Sequence, residues 1–274
     1  MTYENAYEIL CEVRRGINEY STAYAQGTDT SGAYDNPDII RKINNAQKFL
    51  ADLLFNREPQ LFYKSATLTP VLNVLTMPVD FYRLRRLENS DGLRMDIVPL
   101  EEKRPTGDAG SYRQVYWVGG TLVLNADITD PFTLYYVSRT REIHSGLSSA
   151  GGVLSLTLEA PTAKKLLSYY NGMILEQVTD DWVDTISAYT TSRVATLVVQ
   201  TGAASKYYGL VSELPECLHP FIGRKATLLM RDTYKSLEKP TPTSLALFQG
   251  DLNQTLLSYF GSVNTNQPVG ETFR

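Results

Sequence analysis

Cysteine and histidine are nearly missing from this chain, with two of each in 274 residues. Cys11 and Cys217 lie near opposite ends, so a disulfide framework is not expected and a reducing compartment fits best. His144 and His219 are too few for a typical catalytic zinc site. His219 precedes Pro220 at an expected helix start, where a capping or surface role is its ordinary use. Cys11 sits beside Leu10 on an expected helix and reads as a small buried apolar residue. Also absent are a Gly-rich phosphate loop closing on Lys and Ser or Thr and a G-x-S-x-G nucleophile turn. No run of about 18 apolar residues occurs, so no membrane-spanning helix is expected. The start of the chain lacks a basic-then-apolar signal pattern, and assembly in a cytoplasm is the expectation. A formal net charge of −4 argues against a strongly basic nucleic-acid surface.

Carboxylates are plentiful. Glu101-Glu102 and Asp180-Asp181 are adjacent pairs, and paired acids can hydrolyse glycosides when held at a fixed separation. Both pairs adjoin expected turns, where solvated acids are usual. No catalytic, cofactor-binding or metal-binding residue is assigned, and the chain is expected not to be an enzyme.

What the sequence does contain is a patterned scaffold. Its centre is residues 76–137, where four short runs bounded by Gly, Pro, Asn or Asp alternate apolar and polar side chains as a half-buried antiparallel sheet does. Phe81, Leu84 and Leu87 are interleaved with Arg83, Arg85 and Arg86. Tyr116, Val118, Leu122 and Leu124 frame Gly119-Gly120, a dipeptide suited to a tight hairpin because glycine accepts positive φ. Ahead of this stretch, residues 3–24 carry an amphipathic helical pattern and residues 27–32 a loop composition. A second helix is expected from Asp35 or Asn36 as cap and Pro37 in its first turn, with Ile39, Ile40, Ile43, Ala46, Phe49, Leu50, Leu53 and Leu54 forming a stripe. Strands are predicted over 61–69 and 72–75. Residues 104–111 read as a polar loop, either solvated or touching a partner.

Beyond Ile143 the character changes. Residues 145–152, rich in Ser and Gly, read as a linker. Strand-like runs over 153–158, 173–178, 184–189 and 193–199 follow, separated by Asn171-Gly172 and Asp180-Asp181 turns. Helical patterning returns over 215–236, and Ser244 is expected to cap a last helix bearing Leu245, Phe248, Leu252, Leu256 and Phe260. The stretch 262–274 has no periodicity and is expected to lack structure on its own. The fold class is therefore α+β: antiparallel helices packed with an antiparallel sheet. Residues 1–144 and 212–260 form its core, 145–211 a small all-β insertion domain and 261–274 an extended C-terminal tail. Eighteen tyrosines suit contact surfaces, because tyrosine packs broadly at low entropic cost. They suit sheets equally well.

The order of parts is more telling than any one residue. Two helices are followed by Pro78-x-Asp80-Phe81-x-x-Leu84, by Gly119-Gly120-x-Leu122-x-Leu124, by Leu134-Tyr135-Tyr136 and by Leu214-Pro215 opening a helix. This ordered set, over roughly residues 36–143 and 212–236, resembles the head-to-tail adaptor proteins of tailed phages, in particular the short-tailed-phage class that includes tail tubular protein A. Residues 145–211 resemble a small β module of some adaptors and depart from the shortest members. The resemblance implies a virion protein at the neck between capsid and tail. Copies of the chain would form a ring, usually dodecameric, docked beneath the portal protein and carrying the tail nozzle or tail fibre proteins. Double-stranded DNA would pass through without specific recognition. It implies no cofactor and no catalytic residue. C-terminal segments of the family commonly dock on the portal, which makes Pro268, Val269, Phe273 and Arg274 portal-docking candidates, aromatics and Arg being favoured at hot spots. Tyr82, Arg83, Arg85, Arg86, Tyr116 and Trp117 are the candidates for contacts between subunits or with the tail. Two other functions stay open: a tail module whose 145–211 region binds a fibre, spike or host glycan, and a cell-wall hydrolase using either acidic pair.

Overall fold

The computed structural model describes residues 4–20, 34–102, 114–125, 128–159 and 163–261. The expected loops at 27–32 and 104–111 and all four portal-docking candidates lie outside them. The class is α+β, with four α-helices and three sheets among the described residues. The chain divides into two compact units: unit 1 is Met1–Glu58 with Thr140–Arg274, and unit 2 is Pro59–Arg139. The all-β run after residue 145 thus belongs to the same unit as the helices.

In unit 1, helix α1 spans Ala6–Gly16 and begins with a reciprocal cap. The Asn5 side chain accepts from the backbone N–H groups of Tyr7 and Glu8, and the Glu8 carboxylate accepts from the Asn5 N–H. It is shorter than its sequence pattern, because Asn18 turns into the left-handed region at φ 58° just after the helix. Helix α2 spans Asn36–Arg57 with Pro37 in its first turn. It buries Ile39, Ile40, Ile43, Ala46, Leu50 and Leu54 as its stripe requires. Asp35 is the cap residue but its side chain makes no capping hydrogen bond. Helix α3 spans His219–Thr233, and both α1 and α2 pack on it. Helix α4 spans Pro242–Phe260. Its cap is Thr241, whose hydroxyl accepts from the Ser244 N–H, so Ser244 lies within the first turn instead of capping it.

The sheet of unit 1 comprises β8 (Ser145–Leu147), β9 (Ala150–Gly152), β10 (Ser155–Thr157), β11 (Ile174–Gln177), β12 (Trp182–Tyr189), β13 (Val194–Leu197) and β14 (Tyr207–Leu210). They run antiparallel in the order β8-β14-β11-β12-β13-β10-β9. The expected linker at 145–152 is therefore two strands. Gly151 is needed there because a Cβ would collide with the backbone of Gly202 and Ala203. α1 packs on β14, and the Asn5 amide donates to Glu176 of β11 at 2.8 Å.

Unit 2 holds two sheets where one was expected. β1 (Tyr63–Leu68), β7 (Phe132–Ser138) and β3 (Phe81–Glu88) make an antiparallel sheet in the order β1-β7-β3. β2 (Val74–Leu75), β6 (Thr121–Leu124), β5 (Gln114–Val118) and β4 (Asp96–Val98) make a second, in which β4 and β5 are parallel. Gly119 and Gly120, at φ +57° and +87°, close the β5–β6 hairpin as expected. Leu68, Leu75, Leu87, Val115, Leu122, Phe132 and Leu134 form the core.

Candidate interaction face

Strand β3 decides which side chains of unit 2 face out. Its apolar residues recur every third position, which a regular strand of period two would scatter over both faces. Two bulges correct the mismatch. Phe81, Leu84 and Leu87 oppose Ser138, Tyr136 and Leu134, alternate residues on one side of β7. An extra residue enters between Phe81 and Arg83 and again between Leu84 and Arg86. The three apolar residues thus turn to the core, while Arg83 and Arg86 oppose Val137 and Tyr135 on the outer side.

Arginine and tyrosine gather on that outer side. The Arg85 guanidinium lies over the Tyr63 ring at 4.8 Å and that of Arg86 over Tyr135 at 4.5 Å. Arg86 also meets the Glu88 carboxylate at 3.0 Å. Tyr63, Lys64, Ser65, Arg85, Arg86 and Tyr135 line a shallow groove of about 450 Å³. On its other flank β3 borders a larger groove of about 710 Å³, lined by Arg85, Arg86 and Leu87 with Arg94 and residues of β4. Tyr82 is 60% exposed and Trp117 40%, and the Trp117 ring stacks on Phe81 at 5.7 Å. Tyr116 does not belong with them. It is 1% exposed and its hydroxyl donates to Gln114 at 2.8 Å, so it is a core residue and not a contact candidate.

One side chain behind this face was legible only as part of a motif. Asp80 is buried and accepts from Lys64 Nζ at 2.8 Å and from the Tyr136 hydroxyl at 2.9 Å, tying β1 and β7 to the turn before β3. An acid between apolar neighbours in Pro78-x-Asp80-Phe81 was the available signal.

Several other titratable groups serve the interior of unit 1. His144 is buried, and burial, with Arg193 adding to it, holds its pKa down at about 3. Its Nδ1 sits 2.8 Å from the Tyr208 hydroxyl, which also accepts the Glu159 N–H. His219 is not at the surface. It is 2% exposed, its Nε2 hydrogen-bonds the Leu214 carbonyl at 2.8 Å, and burial lowers its pKa. Cys11 is buried as expected, and burial raises its thiol pKa. Glu12 is pushed up to about 7 by burial and then by the nearby Glu4 charge. Asp180 pairs with Lys206 at 2.9 Å beside the exposed turn at Asp181. Glu101 is exposed in a single 3-10 turn, Leu100–Glu102. Among the described residues no three His, Cys, Asp or Glu side chains are grouped to hold a metal, and no helix is long and apolar enough to cross a membrane. No model of a known protein family matches the chain, and no curated protein matches it.

Proposed function

We propose that this protein is a non-catalytic structural subunit of a tailed-phage particle. It acts as a head-to-tail adaptor whose copies form a ring, dodecameric in the manner of the family it resembles, between portal and tail. The observation that carries the reading is the outward arginine–tyrosine face of β3 and its neighbours, joined to the order of motifs along the chain. A closed ring needs two different, complementary faces on each subunit. An exposed surface of Arg and Tyr on a rigid sheet supplies one of them, since these residues dominate interface hot spots. Arg83, Arg85, Arg86 and Tyr82 are its residues, and DNA passes through the ring without a base-reading contact. The test is imaging of assembled particles together with mass spectrometry of their proteins. The expected result is the chain in mature particles, as a ring next to the portal. Its absence from particles, or failure to bind portal, overturns the reading.

A second reading, docking of a tail fibre, spike or glycan on the unit 1 sheet, is favoured by aliphatic side chains at one end of that sheet. Val153 is 83% exposed and Val199 71%, and the Leu197 N–H donates to the Leu154 carbonyl, which brings the two stretches together. Removing the whole sheet would strip α1 of its packing on β14, so Val153→Asp with Val199→Asp is the cleaner probe. Rings that assemble but lack the tail component would support this docking role, and unchanged particles would remove it.

A further inference from the structure

The arginines of β3 and its hairpin differ from nearly all the others. Arg14, Arg41, Arg86, Arg141 and Arg224 each meet a carboxylate, and Arg57, Arg139, Arg193 and Arg231 each donate to an oxygen. Arg83, Arg85 and Arg94 are exposed, and among the described residues none of their guanidinium groups hydrogen-bonds or meets a carboxylate. Arg15, over Tyr20, is the only other described arginine in that condition. A guanidinium is a rigid fork of donors built for carboxylate or phosphate, and three idle forks gathered on one strand and its hairpin invite an anion.

Backbone groups are idle at the same place. Among the described residues β3 pairs only with β7, and β4 only with β5. The two strands are joined by a tight hairpin in which Glu88 bridges Arg94 and the Met95 N–H donates to the Leu87 carbonyl at 2.9 Å. Beyond it they part, leaving the groove of about 710 Å³ between two strand edges. Neighbouring strands stand about 4.8 Å apart, so an extended chain can pair with β3 along such a gap. Leu93 and Ile97, 45% and 38% exposed, add apolar contacts near its rim.

From the idle guanidinium forks and the unpaired edge together, we infer that β3 from Arg83 to Arg86 receives an extended, carboxylate-bearing segment of a partner protein as an added strand. Its acids meet Arg85 and Arg94, and its alternate apolar residues meet Leu93 and Ile97. Strand addition takes affinity from main-chain hydrogen bonds and specificity from alternate side chains. A nucleic acid fits less well. Asp96 lines the groove among the arginines, Glu88 neutralises Arg86, and unit 2 as a whole carries equal numbers of acidic and basic residues. Nor can phosphates satisfy the edge N–H and C=O groups in alternation.

The inference rests on reading β3 as a contact surface and does not need the ring, so binding by the isolated chain and assembly on portal can fail independently. The probe is a capped peptide alternating Val and Glu, titrated into the purified full chain by fluorescence anisotropy, with amide hydrogen exchange reporting the site. Binding is expected to protect the amides of Arg83 to Arg86 and to weaken as salt is raised. Arg85→Glu with Arg94→Glu should weaken it about tenfold while the thermal midpoint stays put, since neither side chain braces the fold. The same peptide N-methylated along one edge, or with Lys in place of Glu, should not bind. Failure of the acidic peptide to bind, indifference to the double substitution or to N-methylation, or tighter binding of inorganic polyphosphate or single-stranded DNA each overturns the inference.

Discussion

In unit 1, Arg141 is 6% exposed and its guanidinium is engaged on every arm. Nε and one Nη donate to the Glu213 carboxylate at 3.1 and 2.8 Å, and the other Nη donates to the carbonyls of Tyr169 and Asn171. In unit 2, Arg85 stands in solvent over a tyrosine ring and donates to nothing. The residue type is the same and the chemistry is opposite. A buried arginine with a full set of acceptors is a brace for the loops around it. An exposed arginine with none keeps its donors for something outside the subunit. What separates the two roles is the state of the donors.

The sharpest way to break this contrast is Arg141→Met. It removes the partner of the half-exposed Glu213 carboxylate and leaves the Tyr169 and Asn171 carbonyls without their donor, and should cost about 3 kcal/mol in urea unfolding. If Arg85→Met cost as much, the distinction would collapse. Next is Leu87→Ala, which opens a cavity at a fully buried position of unit 2 and should cost about 2–4 kcal/mol, read as faster amide exchange in β1, β3 and β7. A smaller effect sharpens the contrast through pH. His144 stays neutral in the fold down to about 3, whereas the unfolded chain takes up a proton near 6.5. Its contribution is complete above pH 6.5 and is lost as pH falls toward about 3. Glu12 runs the other way. The folded chain keeps its proton up to about 7 while the unfolded chain releases it near 4.5, so stability is lost as pH rises through that window. Glu12→Gln should therefore stabilise by about 1 kcal/mol above pH 7, after allowance for solvent screening, and by nothing below 4.5. Thermal melts across the pH range check both. The smallest effect is expected from Arg85→Ala and Arg94→Ala, each within about 0.5 kcal/mol of the parent.

The helices were readable because their stripes match a period that packing does not alter. Ile39, Ile40, Ile43, Ala46, Leu50 and Leu54 of α2 are buried as spaced. Strands β8 and β9 were not readable, because Ser-Gly composition signals a linker while close backbone approach demands glycine for a different reason. The parallel β4–β5 pair depends on a crossover through residues outside the described set, and no local pattern announces it. The exposure of Arg83, Arg85 and Arg86 was readable from their interleaving with apolar residues. Tyr116 was misplaced, since the alternation of β5 does not say which of Tyr116 and Trp117 turns inward. That the donors of Arg85 and Arg94 stand idle was not legible, because the absence of a partner is a property of the fold.

The pairing of β1 with β7, Tyr63 opposite Val137, bears on synthesis. It sets the entry and exit of unit 2 on neighbouring strands, so the unit is a closed excursion from the chain. A ribosome will have delivered every residue of unit 2 once Arg139 clears the exit tunnel. Unit 1 must wait, because α1 and α2 lack their packing partner until α3 follows some eighty residues later. Helices α1 and α2 are thus made before unit 2 yet settle after it, and they are exposed for longer to chaperones and proteases.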